Sequence, residues 1–204
     1  MGLPGALTVG LTLWQRVERY DVNIDQADPE LGVGHALFDT NAAVLTECGF
    51  SRESLVAANI NPATGLATDY LNHFNEITML IGLVGDMPDM VDELGEWEPI
   101  SYEEHFERST FKAKALAIAA YRATLPAIRA KFVEVVWEMN SAILSTITRL
   151  KEADTADYHH IAASGDKLFR PLIARASGVI HGVEFDANLL EAEDSQATLD
   201  ALMG

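Results

Sequence analysis

Cysteine is almost absent from this chain. Cys48 is the only one among 204 residues, which excludes an intrachain disulfide and a cysteine-based metal cluster. A chain without disulfides fits a reducing compartment, and we expect a cytoplasmic protein. Cys48 itself lies near a predicted helix end, where we expect a small buried residue rather than a nucleophile.

Basic residues are also scarce. The chain has 14 Lys and Arg against 31 Asp and Glu, a formal net charge of −17. A surface this negative repels phosphate groups, which argues against nucleic acid or an anionic membrane as partner. Between Arg52 and Arg108 the chain has twelve carboxylates and no Lys or Arg. This stretch predicts either a solvated acidic surface or a docking site for a basic protein partner or metal ions.

Long hydrophobic runs and the common catalytic motifs are missing too. The uncharged start, residues 1–15, is shorter than the roughly 20 apolar residues that a membrane span needs. The sequence has no glycine-rich phosphate loop, no G-x-S-x-G elbow and no H-E-x-x-H zinc motif. These absences argue against P-loop nucleotide binding, serine hydrolases of that type and zincins, so the residues favour binding over catalysis.

Helical periodicity, in contrast, runs through the chain. Apolar residues recur at spacings of three and four along nearly every long segment. We expect an all-α protein: a helical bundle of four main helices at about 64–84, 101–121, 125–151 and 155–181, with additional N-terminal helices packed against it. In this interpretation residues 1–183 form one helical domain, and residues 184–204 form an acidic, loosely packed tail.

Two local signals bear on the later helices. Ser101 followed by Glu104 is a capping box, which predicts a helix start at this point. Gly165 and Pro171 interrupt the last helix, and Pro171 lacks the backbone N–H that would bond to Lys167. We therefore expect a kink near residues 165–171, with space for a pocket beside it.

A short motif, Tyr-x-x-His-Phe, occurs twice, at residues 70–74 and 102–106. Its Tyr and Phe are four residues apart, the spacing of a core stripe on a helix. If helices 64–84 and 101–121 run antiparallel, His73 and His105 lie roughly 10 Å apart along the axis. We therefore expect them not to share a metal ion.

Three ionisable side chains, Asp69, His73 and Glu76, share one edge of the apolar arc of helix 64–84. Carboxylate and imidazole groups are ligands for Fe, Mn or Zn, so these three residues are a candidate metal-binding set. Because two carboxylates adjoin the imidazole, we expect them to raise the pKa of His73.

The predicted helix register places further polar residues level with Glu76, namely Asn140 and, beside the kink, Asp166 or Arg170. Asn140 lies on an apolar arc, where a buried amide must find hydrogen-bond partners. We therefore predict a mid-bundle polar layer of His73, Glu76, Asn140, Asp166 and Arg170 that binds a small ligand or metal ion, without catalysis. Two alternatives stay open: a buried layer that only sets helix register, and an acidic adaptor or regulatory protein that acts through protein–protein contacts.

Overall fold

The computed structural model describes residues 33–183, with side chains described from residue 37 onward. Within this range the chain is all-α, as the periodicity predicts, and has no β-strand. Its α-helices are α1 (Val33–Glu47), α2 (Arg52–Ala57), α3 (Asn72–Leu83), α4 (Met90–Leu94), α5 (Tyr102–Arg108), α6 (Lys114–Ala123), α7 (Pro126–Glu152) and α8 (Tyr158–His181), with 3₁₀ helices at Thr68–Leu71 and Thr155–Asp157.

Local capping sets several of these boundaries. Ser101 accepts a hydrogen bond from the backbone N–H of Glu104 (3.2 Å), which confirms the predicted start of α5. Pro126 occupies the first turn of α7, where its missing N–H costs nothing. At the other end of the fold, Gly182 has φ 67° and ends α8, and the N–H of Val183 donates to the carbonyl of Gly178 (3.0 Å).

The two longest helices, α7 and α8, form an antiparallel pair. Arg175 of α8 donates to Glu138 of α7 (2.5 Å). Farther along, a Cβ on Gly165 would lie 3.0 Å from Cγ2 of Thr146, so glycine allows the two helices to approach closely. These contacts set the α7–α8 register, and they place Asn140 nearer the level of Pro171 than that of Asp166.

A loop between α2 and α3 is hydrogen-bonded to three helices or their ends. The hydroxyl of Thr64 donates to the carbonyl of Ile180 in α8 (2.7 Å), and the hydroxyl of Thr124 donates to the carbonyl of Thr64 (2.8 Å). Asn41 of α1 is fully buried; its amide donates to Ala63 (2.8 Å), and its Oδ1 accepts from the N–H of Leu125 (2.7 Å). We call residues 59–67 the hub loop, because they join the ends of distant elements.

The structure differs from the predicted bundle in two of its four helices. The segment 101–121 is two helices, because Ser109 ends α5 and its hydroxyl accepts from the N–H of Phe111 (3.2 Å). The segment 64–84 begins its α-helix only at Asn72, since the preceding residues belong to the hub loop and a 3₁₀ turn. The predicted arrangement as a bundle of four main helices is therefore not confirmed for the described residues.

Smaller differences concern single side chains and segments. Leu168 follows Ile161 at a spacing of seven residues, which predicts a place on the inner stripe of the last helix, but it is 51% exposed and its neighbour Phe169 is buried instead. Cys48 is exposed rather than buried. The chain before residue 33, where additional N-terminal helices were expected, and the tail at 184–204 lie outside the described residues. No helix among residues 33–183 is long and apolar enough to cross a membrane.

Candidate functional site: a histidine and aromatic cluster beside an acidic face

The two copies of Tyr-x-x-His-Phe pack against each other. The ring centroids of Tyr70 and Tyr102 are 5.4 Å apart, as are those of Tyr70 and His105. His73 and His105 are adjacent, with ring centroids 6.3 Å apart. The predicted axial separation of the histidines is therefore wrong, because α5 is a short separate helix rather than the start of a long antiparallel one.

The two tyrosine hydroxyls bind the backbone beside each other's motif. The hydroxyl of Tyr70 donates to the carbonyl of Ile100 (2.9 Å), and the hydroxyl of Tyr102 accepts from the N–H of Ala67 (2.8 Å). Burial raises the pKa of both phenols, chiefly because a charged phenolate would be desolvated there. The motif therefore has a packing role: it joins the 3₁₀ turn before α3 to the start of α5.

His73 stacks on Trp97, a residue of the loop between α4 and α5. The ring centroids are 5.0 Å apart and the planes are inclined by 20°. Nε2 of His73 and Nε1 of Trp97 are both buried without a hydrogen-bond partner. Sequence reasoning missed Trp97, because a tryptophan between two exposed glutamates gives no periodic signal that it packs inward.

Burial governs the pKa of both histidines. The pKa of His73 is lowered to about 4, chiefly by burial and also by the neighbouring His105, while the backbone of Glu98 opposes the shift. Burial also lowers the pKa of His105, although Asp69 and Glu76 act to raise it. The expected rise in the pKa of His73 is wrong, because desolvation lowers this pKa and the two carboxylates act on His105 instead.

The candidate metal-binding set is not assembled. Glu76 is exposed, Asp69 is half-buried, and His73 faces the aromatic cluster. Among the residues that the structure describes, no group of three or more His, Cys, Asp or Glu side chains is placed to hold a metal ion. The geometry of this region therefore gives no support to the expected Fe, Mn or Zn site.

The predicted polar layer is also dispersed. Asp166 and Arg170 form an exposed ion pair with each other (2.5 Å) and have no hydrogen bond or ion pair with His73, Glu76 or Asn140. Asn140 is buried, as predicted, but its Oδ1 has no hydrogen-bond partner. The layer fails because the α7–α8 register and the short α5 differ from the antiparallel register assumed from the sequence.

The expected pocket beside Gly165 is filled by side chains. A Cβ at this position would lie 2.9 Å from the ring of Phe169 in the same helix and 3.0 Å from Cγ2 of Thr146 in α7, so side chains of both helices occupy the space beside Gly165. The structure has an open pocket of about 240 Å³ elsewhere, between the hub loop and the end of α8, lined in part by Asn59, Asn61 and His181. Sequence spacing could not reveal this pocket, since its walls are far apart along the chain.

The buried imidazole predicts a pH dependence of stability. Because the pKa of His73 is about 4 in the folded protein and near 6.5 unfolded, unfolding takes up a proton between these values. The contribution of the neutral His73 ring to the free energy of unfolding is thus fully present above pH 6.5 and is lost as the pH falls towards 4. Since the ring is partly solvated, we expect a modest effect: between pH 7 and pH 4.5, the free energy of unfolding of His73→Phe falls by only about 1 kcal/mol less than that of the wild type.

The measurement is urea unfolding of the wild type and the variant at both pH values. His160→Phe is the control, because His160 is an exposed histidine on α8. The wild type and the control are expected to lose the same stability on acidification, and His73→Phe to lose less. Parallel losses in all three proteins would contradict a neutral His73 in the core.

Exposed carboxylates lie on α3, on the turn after it, on α4 and on the loop that follows α4. We call Glu76, Asp86, Asp89, Asp92, Glu93 and Glu96 the acidic face; all six are exposed. Of these six carboxylates, only Asp86 has an ion-pair partner in the described part of the chain, His159 at 3.7 Å, and Lys151 borders the face near Gly95. Most of this negative charge is therefore not neutralised within the described part of the chain.

Three large apolar side chains lie in a row on the exposed side of α3 and the turn after it. Met79 is 60% exposed, Leu83 39% and Met87 51%. The N–H of Met87 donates to the carbonyl of Leu83 (2.9 Å), which continues the helical spacing past the end of α3. Sequence reasoning missed this apolar row, although the four-residue spacing of Met79 and Leu83, off the buried stripe, was a usable signal.

The structure thus has two distinct features in this region: a closed histidine and aromatic cluster inside, and an acidic face with an apolar row outside. The inner cluster is packed against Trp97 and has the geometry of a core. The outer features are accessible to another molecule. The chain matches no family model, no curated protein and no solved structure, so its function has to be inferred from the geometry of its own side chains.

Proposed function

We propose that this protein is an acidic interaction protein that binds a basic protein partner through the acidic face. The observation that carries the proposal is the exposure of five carboxylates without an ion-pair partner in the described part of the chain: Glu76, Asp89, Asp92, Glu93 and Glu96. Their concentration within residues 76–96 provides an attractive field for a cationic surface.

Some carboxylates elsewhere in the fold contrast with this set. Glu138 pairs with Arg175, Asp166 with Arg170, and Glu103 with Arg122. The chain thus places arginines beside acidic side chains on other helices, whereas it has no Lys or Arg between Arg52 and Arg108. A partner that supplies the missing positive charge would relieve the repulsion among neighbouring carboxylates on α4.

Charge reversal tests the proposal. The triple variant Asp89→Lys, Asp92→Lys, Glu93→Lys is compared with a control triple, Asp39→Lys, Glu47→Lys, Glu134→Lys, whose three residues are also exposed and unpaired in the described part. The probe is a flexible peptide of lysine and serine. We expect its affinity for the full chain, measured by fluorescence anisotropy, to fall about tenfold in the first variant and less than about threefold in the control.

Salt dependence separates local from global charge effects. Affinity for the wild type is expected to weaken steeply as ionic strength rises, because exposed charges are screened over about 10 Å at 0.1 M salt. Since both triples change the net charge equally, equal losses of affinity would mean that the probe senses net charge alone. That outcome would overturn the acidic face as the binding site.

A further inference from the structure

We infer that the partner segment seated on this surface is a basic amphipathic helix of another protein, whose apolar side packs on Met79, Leu83 and Met87. This inference rests on the proposed function and specifies the partner's form. The three side chains recur every four residues, so they form one continuous row roughly 12 Å long at a rise of 1.5 Å per residue. A helix that lays apolar residues along a groove or ridge matches this repeat.

The surroundings of the row are open and negatively charged. The three side chains are themselves exposed, and a Cβ on Gly82, about 100° around α3 from Leu83, would meet nothing within 4 Å, so the uncovered surface of α3 extends beyond the row. Glu76 and Asp86 share the exposed arc with the row, and Asp89 follows directly. An apolar strip with carboxylates at both ends complements a helix whose leucine-like side is flanked by Lys or Arg.

The side chains themselves suit a helical partner. Methionine is unbranched and flexible, so Met79 and Met87 can repack around differently shaped apolar residues. No β-strand edge exists among residues 33–183, which leaves strand addition without a template there. Two copies of this chain would bring two acidic faces together, and like charges disfavour that pairing. A basic helix meets both requirements of the surface.

Two synthetic peptides test the inference with the full-length chain. One has leucine at the core positions of roughly two heptads and lysine elsewhere; the other has the same lysines with serine in place of leucine. We expect the leucine peptide to bind at least about tenfold more tightly, because only it buries the apolar row. Circular dichroism is expected to show that it becomes helical on binding.

The matched variants assign this gain to the row. In Met79→Ser, Leu83→Ser, Met87→Ser the gain is expected to disappear, while affinity for the serine peptide stays within about twofold of the wild type. The control, Val56→Ser with Leu168→Ser, removes other exposed apolar side chains and is expected to keep the gain. All these residues are exposed, so thermal unfolding is expected to change little.

Other outcomes separate the two proposals. If the leucine peptide keeps its advantage in the row variant, the helix inference is overturned while binding through the acidic face stands. If charge reversal on the acidic face leaves the serine peptide unaffected, the proposed function itself is overturned. If the wild type sediments as a dimer and the row variant as a monomer, a second copy occupies the row and the inference is overturned.

Discussion

Replacing Gly65 with alanine is expected to destabilise the protein by about 3 kcal/mol or more. Gly65 has φ +71°, a conformation that residues with a Cβ adopt at a cost. An added Cβ would also overlap Oγ1 of Thr124 and lie 3.0 Å from the backbone carbonyl oxygen of Ala120. The second neighbour is backbone and cannot move aside cheaply, so the hub loop would have to shift and weaken its bond from Thr124.

The measurement is the free energy of unfolding in urea, together with the melting temperature, which is expected to fall by roughly 10 °C. Gly82→Ala is the matched control, since a Cβ there would meet nothing within 4 Å and the residue lies inside α3. Alanine favours a helix interior, so the control is expected to gain about 0.5–1 kcal/mol. A Gly65→Ala variant as stable as the wild type would contradict the described packing of the hub loop.

Asn41→Leu is expected to cost about 2–4 kcal/mol, the second large effect. The Asn41 side chain satisfies two backbone groups at once, the carbonyl of Ala63 and the N–H of Leu125. Leucine has a similar size but no polar atoms, so both backbone groups would be left without these partners in a buried region. The two lost hydrogen bonds join α1 to the hub loop and to the start of α7. We expect the substitution to shift the urea midpoint without changing the cooperativity of unfolding.

Asn140→Leu makes the same substitution in a different environment. Oδ1 of Asn140 is buried without a partner, so the wild type already bears the desolvation cost of that oxygen. We expect the free energy of unfolding of this variant to equal or exceed that of the wild type. A hydrogen-bonded Asn140 would instead predict a lower value. Similar losses of unfolding free energy in the two variants would show that Oδ1 has a partner in solution.

Helical content and several helix ends were predictable because they depend on neighbouring residues. Ser101 caps α5 through a residue three positions away, and Pro126 acts within its own turn. The buried face of α3, with Phe74, Ile77 and Ile81, follows from spacing alone. Leu168 shows the limit of this reasoning, since periodicity does not decide which of two adjacent apolar residues, Leu168 or Phe169, turns inward.

The candidate site was predicted in part. His73 does lie beside polar and ionisable residues, and Asn140 is buried. Their predicted partners lie elsewhere, because 101–121 is two helices and because α7 and α8 pair in a different register from the predicted one. Because Ser109 ends α5, His105 comes beside His73, whereas the α7–α8 register leaves Asp166 in an exposed ion pair with Arg170.

The sequence by itself determined the helical class, the position of the caps and the concentration of carboxylates between Arg52 and Arg108, since each is a property of residues close together in the chain. Only the tertiary structure decided that Tyr70 meets Tyr102 and that Asn41 bonds to Ala63 and Leu125. Such contacts join segments far apart in sequence. Their choice depends on how side chains of several helices fill one core, and local periodicity carries no information about that register.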